Sequence, residues 1–427
     1  MNRRFQFVVV GFSTCLVGLL LFGAVSGRSA TAEDPYRHLQ VFTEVLSRIK
    51  SEYVEEPDIK AVTLGAINGL LESIDPYASY LNADQYKQYM KQKDTAKGGV
   101  GLVLSKRLGY VGIISTIPGS AAAKANLTTG DVIETINNVA TRDMPLAFAD
   151  LLLRGEPGTN VEVTVLRVRK PEPQKVTLTR SVIAYPAVTA KLLPDQTGHI
   201  IVPSLLAGRA KDVAAKVEEL QKQGAKRLVL DLRNCATGAP EEGIKVANLF
   251  MDKGLITYMV GQKIARQNFE ATAANQISKL PLAVLINRGT AGGSEVAAAA
   301  LLDSKRAQLV GERSYGDAAQ RRTLNMDDGS AIILAVAKYY SPGGKAIQDN
   351  AVTPPVAVID SDPAADIDDD ADQPEPPPTK GEDVMLKKAI EVLSATKDTA
   401  STKPAAPKQR ALRSSVEDRQ AYASPAA

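Results

Sequence analysis

Asn287-Arg288-Gly289-Thr290-Ala291-Gly292-Gly293-Ser294-Glu295 follows an apolar run over residues 280–286 and precedes an alanine-rich run over 296–302. The first run is short enough for a buried strand, the second reads as a helix, and the glycines between them mark a strand-to-helix turn. Glycine at such a junction lets the backbone approach a ligand closely, and the first free N–H groups of the helix favour negative charge. The turn therefore has the form of an active-site loop suited to an oxyanion or a phosphate. The same alternation extends outward on both sides. Strand-like 199–202, helix-like 209–223, strand-like 227–232 and helix-like 241–251 precede the turn, and strand-like 308–310 and 331–337 follow it. Strands separated by roughly ten to fifteen helical residues predict an α/β core.

The chain has 427 residues, of which 44% are apolar and 23% charged, enough for two or three domains with real cores and too apolar for overall disorder. A formal net charge of +3, with no Lys/Arg cluster interleaved with aromatics, excludes a nucleic-acid partner. Met1-Asn2-Arg3-Arg4, followed by a nearly uncharged stretch over 5–27, has the basic and apolar regions of an export signal. Ala30-Thr31-Ala32 offers a small-x-small cleavage site. The apolar run also exceeds the length of about 18 residues that a membrane anchor needs. Residues 1–32 are thus a signal peptide or an anchor, and either places the rest of the chain outside the cytoplasmic membrane, in the periplasm or cell envelope. Cys15 lies in that segment, which leaves Cys235 alone and excludes a disulfide framework.

Residues 33–95 form an N-terminal helical region. Leu39, Phe42, Val45, Leu46 and Ile49 share one helical face, as do Leu64, Ile67, Leu70 and Leu71, and Asp75-Pro76-Tyr77 marks a turn. A small helical domain or a dimerisation arm accounts for this pattern. Residues 96–170 change to β-rich texture, with strand-like 100–104, 110–117, 131–136 and 161–168 and one helical stretch at 146–153. Gly98-Gly99-Val100-Gly101-Leu102, Ile117-Pro118-Gly119-Ser120-Ala121-Ala122 and Leu127-Thr128-Thr129-Gly130-Asp131-Val132-Ile133 occur in that order, and on them the segment resembles a PDZ domain. A glycine-rich turn before an edge strand offers N–H groups to a peptide's terminal carboxylate, and the strand then pairs with the extended peptide. The candidate peptide-binding residues are Gly99, Val100, Gly101 and Leu102; the plainer reading is that these glycines only make a tight turn.

The core is expected over 171–360, and 361–427 as an acidic, proline-rich linker, a short helix at 384–393 and a disordered tail from residue 399. Seven aspartates fall between Asp360 and Asp372, but a calcium loop would need a central glycine and a glutamate at its twelfth position. No metal or cofactor is expected.

From residue 39 to 358 the chain resembles the carboxy-terminal processing peptidases, serine enzymes with a PDZ domain inserted into a crotonase-like or ClpP-like core. Glu44-Val45-Leu46, Tyr53-Val54 and Leu71-Glu72-Ser73-Ile74-Asp75-Pro76-Tyr77-Ala78-Ser79-Tyr80-Leu81 carry the resemblance in the N-terminal half. Leu228-Val229-Leu230-Asp231-Leu232-Arg233-Asn234 and Lys338-Tyr339-Tyr340-Ser341-Pro342-Gly343-Gly344-Lys345-Ala346-Ile347-Gln348 carry it in the core. The resemblance implies a serine nucleophile in the opening turn, activated by a neutral lysine 25 residues later, after Val-Gly-Glu and an aromatic-Gly pair. Val310-Gly311-Glu312 and Tyr315-Gly316 set that register, and it places Gly292 at the serine and Asp317 at the lysine. Glycine supplies no nucleophile, and an aspartate anion does not replace a neutral amine. A glutamine normally four residues after the lysine is replaced by Arg321, with Gln320 one place early. The family's Asn-Pro-Gly-Gly oxyanion turn reads Cys235-Ala236-Thr237-Gly238.

Two substitutes for the nucleophile are Ser294, whose plainer role is to cap the following helix, and Cys235, whose plainer role is core packing. Thr290 and Ser314 take capping roles as well. Three functions remain open on the sequence: an exported pseudopeptidase that binds C-terminal or extended segments of other proteins, alone, as a homo-oligomer or with an active relative; an active peptidase rebuilt on Ser294 or Cys235; and an envelope scaffold.

Overall fold

The computed structural model describes residues 35–95, 98–107, 109–167, 170–348, 350–359 and 383–401. The expected signal or anchor over 5–27, the acidic linker and the tail beyond Ser401 lie outside the described residues. Among the described residues no helix is long and apolar enough to cross a membrane.

A first compact unit ends at Ile67 and a second begins at Asn68. The first contains α1 (Pro35–Glu52) and the start of α2 (Ile59–Ile74), where Asp58 accepts a hydrogen bond from the Ala61 N–H (3.0 Å). In α1 the expected apolar face forms, and Leu39, Phe42 and Val45 on it are exposed. The second unit takes in the end of α2, then β1 (Ser79–Leu81) and α3 (Ala83–Thr95).

Next come β2 (Leu102–Arg107), β3 (Tyr110–Thr116), α4 (Ala121–Lys124), β4 (Val132–Ile136), β5 (Val139–Ala140), α5 (Leu146–Leu153), β6 (Asn160–Arg167) and β7 (Lys170–Thr179). They make a sheet of order β2-β3-β4-β6-β7, with β5 on β4, so β2 is an edge strand. Alternation sends Val161, Val163 and Val165 of β6 inward against Ile113, Leu127, Ile133 and Ile136. The sheet continues past residue 170 because β7 pairs with β6 in antiparallel register out to Thr179. Pro171 and Pro173 hide this strand in the sequence, and an edge strand tolerates them.

The core begins with β8 (Thr189–Leu192), β9 (Thr197–Ile201), α6 (Arg209–Lys222), β10 (Arg227–Asp231) and α7 (Pro240–Asn248). It continues with β11 (Leu255–Gly261), β12 (Ile264–Glu270), β13 (Leu282–Ile286), α8 (Gly293–Asp303), β14 (Gln308–Gly311), β15 (Ala319–Asn325), β16 (Ala331–Tyr340) and β17 (Val356–Ala357), and closes with α9 (Val384–Ser401). The central sheet runs β17-β14-β13-β10-β9-β8, parallel except for β8. Both faces are covered, which explains why β13 is apolar throughout. Leu282, Val284 and Ile286 point to the main core, while Ala283 and Leu285 point to α9. A second sheet, β1-β16-β11-β12 with β15 also on β16, flanks it. The architecture is the expected multidomain α/β fold.

The C-terminal helix packs through Met385, Ala389 and Leu393, spaced four apart, onto Val229, Ala283, Leu285 and Val310. It is longer than the expected 384–393 and runs three residues into the stretch read as tail. At its start, Arg233 bridges Asp231 (Nη2 to Oδ2, 2.6 Å) and Asp383 (Nη2 to Oδ2, 2.7 Å). Leu393 is 2% exposed. Replacing it with alanine is expected to cost about 2–5 kcal/mol in urea denaturation; unchanged stability would mean that α9 does not dock in solution.

Candidate functional site

The quoted turn is set by hydrogen bonds at its start and by a carboxylate at its end. Thr290 Oγ1 donates to the Leu232 carbonyl (2.8 Å) and accepts from the Asn287 N–H (3.0 Å). A Cβ on Gly289 would fall 2.4 Å from Asn234 Oδ1, so only glycine fits there. Gly292 then takes φ 68° and ψ −126° and forms the N-cap of α8. One turn into α8, the fully buried Glu295 gathers four donors. Its Oε2 accepts from the N–H groups of Gly292 (3.0 Å) and Asp317 (2.8 Å). Its Oε1 accepts from the Gly316 N–H (2.7 Å) and the Ser314 hydroxyl. Burial pushes the Glu295 carboxyl up to about 7, against the pull of the Ser314 hydroxyl and the Asp317 and Gly316 amides. The positions expected for nucleophile and base are thus tied to one oxygen.

Asp317 is held by a side chain of opposite charge. Its Oδ1 accepts from Arg321 Nη2 at 2.7 Å, and the Arg321 guanidinium lies 4.7 Å from the centre of the Tyr77 ring. Burial opposes the Arg321 charge, but Asp317 outweighs it and holds the guanidinium pKa above its ordinary value. Tyr77 meets Tyr315 edge to face (6.0 Å, 75°), and Asp75 fixes its backbone by accepting from the Tyr77 N–H (3.0 Å) and the Ala335 N–H (3.3 Å). A register shift between Gln320 and Arg321 turns Gln320 to solvent and leaves Arg321 on Asp317. Gln320 is therefore not brought to the site.

Position 292 is bordered by backbone carbonyls of two other segments. A Cβ built on Gly292 would lie 3.8 Å from two carbonyl oxygens, those of Asp317 and Gly238. Gly238, at φ 132°, is pressed against Leu205, whose N–H donates to the Thr237 carbonyl (2.7 Å) and whose carbonyl accepts from the Ala239 N–H (3.2 Å).

Neither substitute nucleophile is presented to a ligand. Ser294 is 1% exposed and sits within α8 instead of capping it; its hydroxyl donates to the Cys235 carbonyl (2.7 Å). The Cys235 thiol is buried, and burial pushes it up to about 12, far from a thiolate at neutral pH. Thr290 and Ser314 are also spent on structural bonds rather than helix caps, Ser314 Oγ accepting from the Val352 N–H (2.7 Å) as well.

In the β2 sheet, the Gly98 and Gly99 N–H groups of the glycine turn are used by the carbonyls of Gly155 (3.1 Å) and Ser181 (2.9 Å). Those of Val100 and Gly101 make no backbone bond among the described residues, and with Gly99 and Leu102 they line a cavity of about 240 Å³ bounded by Leu153 and Tyr185. Gly101 has φ 83°, and a Cβ there would fall 2.1 Å from Ser120 Cβ. Its glycine is demanded by the fold whatever it binds.

Sequence reading did not single out Glu295, Tyr77 or Asp75 as site residues. A glutamate three residues after an N-cap is a known helix-start signal, but glycine at the cap removes the Ser/Thr half of it. Tyr77 and Asp75 stood out as a turn and as part of the family resemblance, but nothing in the local sequence linked them to the site.

Two outcomes follow. Gly292→Ala has room for its methyl group, yet its positive φ is expected to cost about 1–3 kcal/mol in thermal or urea unfolding; an unchanged midpoint would contradict this backbone geometry. The raised Glu295 pKa means that the folded state binds the proton more tightly than the unfolded chain. Its contribution is fully present below about 4.5 and is lost as pH rises through about 7, on the order of 3 kcal/mol. Denaturation of the wild type and Glu295→Gln at pH 5 and pH 8 checks this: the wild type is expected to lose stability relative to the variant, and parallel behaviour would contradict it.

The same segments match known families. Residues 196–358 match peptidase family S41 and residues 112–167 a PDZ domain. The chain is 30% identical over 394 residues to a carboxy-terminal-processing protease of Bartonella bacilliformis, covering 90% of this chain and 86% of that protein. It is 32% identical over 362 residues to a carboxyl-terminal-processing protease of Synechocystis, covering 80% and 84%. A solved photosystem II D1 C-terminal processing protease superposes with a TM-score of 0.63 at 28% identity, covering 75% of this chain and 92% of that one. The chain belongs to the carboxy-terminal processing protease family.

Proposed function

We propose that this chain is an exported, non-cleaving member of its family that holds exposed C-terminal or extended segments of other proteins. The observation that carries this reading is the environment of position 292: no side chain there to act as nucleophile, and an Asp317–Arg321 ion pair where a neutral amine is needed. A hydrolytic mechanism on Ser294 or Cys235 would have to free a buried group from its structural role and then find it a base, and the geometry favours neither.

Binding is assigned to the turn Gly99-Val100-Gly101-Leu102 and the edge strand β2. The free N–H groups of Val100 and Gly101 suit a terminal carboxylate, and β2 suits pairing with an extended chain. Work in the periplasm or envelope, by cleaved signal or retained anchor, rests on the composition of residues 1–32. The exposed apolar face of α1 supports a scaffolding role, in a homo-oligomer or with an active relative.

Fluorescence anisotropy with peptides ending in an apolar residue tests the binding reading. The free-acid peptide is expected to bind, and its C-terminal amide at least about tenfold more weakly, since the carboxylate contact is lost. Equal binding of both, or of neither, would contradict the assignment.

A further inference from the structure

A cavity of about 500 Å³ opens along α8, on the face that carries Glu295 and one to two turns beyond it. That volume falls within the roughly 300–1,000 Å³ typical of small-molecule sites. Its floor is apolar, formed by Ala299, Leu302, Ile347 and Val352, and among the described residues its rim carries one carboxylate, Asp303, and one ammonium, Lys345. The turn over 341–345 holds the Asp303 carboxylate and the backbone of Lys345. Asp303 Oδ2 accepts from the Gly343 N–H (2.8 Å), and the Lys345 carbonyl accepts from the Ser341 N–H (2.8 Å). Neither charge forms an ion pair with the other or with any described residue, although they border the same space. The wall is continuous with the central turn, because the Val352 N–H donates to Ser314 Oγ, which bonds Glu295.

An unpaired carboxylate and an unpaired ammonium above one apolar floor select against simple ligands. A neutral apolar molecule would leave both charges unused, an anion would face Asp303, and a cation would face Lys345. A molecule with an ammonium, a carboxylate and an apolar side chain satisfies all three surfaces. We infer that this cavity binds a free apolar amino acid or dipeptide as its zwitterion, ammonium on Asp303, carboxylate on Lys345 and side chain on Ala299, Leu302, Ile347 and Val352. The site is separate from the β2 groove and does not rest on its assignment.

Calorimetric titration of the full chain with L-leucine, Ala-Leu, N-acetyl-leucine and leucinamide tests this. Leucine and Ala-Leu are expected to bind, and capping either end to weaken binding about tenfold or more. Lys345→Ala is expected to erase the difference between leucine and leucinamide, and Asp303→Asn the difference between leucine and N-acetyl-leucine, both without a change in melting temperature because both side chains are exposed. Capped ligands binding as well as free ones, discrimination surviving in the variants, or no binding up to roughly 10 mM would each overturn the assignment. The β2 turn also offers N–H groups to a carboxylate, so the Lys345→Ala and Asp303→Asn variants, which leave that turn untouched, assign the binding to this cavity.

Discussion

The Glu295 carboxylate is the constraint on which the centre of the molecule depends. A buried carboxyl without partners would be costly, and here four donors from two chain segments satisfy it. Gly292 begins α8, and Gly316 and Asp317 lie on the loop from β14 to β15. Through Ser314 the same carboxylate reaches Val352, on the stretch before β17. Removing it would leave the N–H groups of Gly292, Gly316 and Asp317 without this acceptor on both segments, so the arrangement is held whether or not it serves chemistry. That explains how a catalytic frame can stay ordered around a position that carries no nucleophile.

The substitutions at the site are mutually consistent. Glycine at 292 relieves the strain that any side chain would suffer at φ 68°. Aspartate at 317 would be an uncompensated charge without Arg321, and Arg321 in turn lies over Tyr77, which Asp75 positions. Each change gains from its neighbours, and together they make a stable structure from groups that do not fit hydrolysis.

Much of this was legible in residue order. The run over 280–286 with its glycine turn announced a strand, a turn and a buried helix, because a parallel strand covered on both faces must be apolar at every position. The 25-residue interval from Gly292 to Asp317 pointed to two positions that the fold joins on one Glu295 oxygen. Other elements gave no periodic signal. Strands β12 and β15 are exposed along most of their length and carry polar side chains, and β7 begins with two prolines. Ser294 was expected as a cap, yet the cap is Gly292, since a backbone conformation and not a side chain decides that turn. The Glu295 hub depends on contacts between residues 19 to 22 positions apart, and no local pattern encodes them.

A chain with a vacant site binds an unfolded protein without cutting it. Intact-mass spectrometry of an unfolded protein incubated with the purified chain measures this directly. The substrate mass is expected to stay unchanged through prolonged incubation while the substrate remains bound. Shortened products that disappear with Ser294→Ala or Cys235→Ala would contradict it.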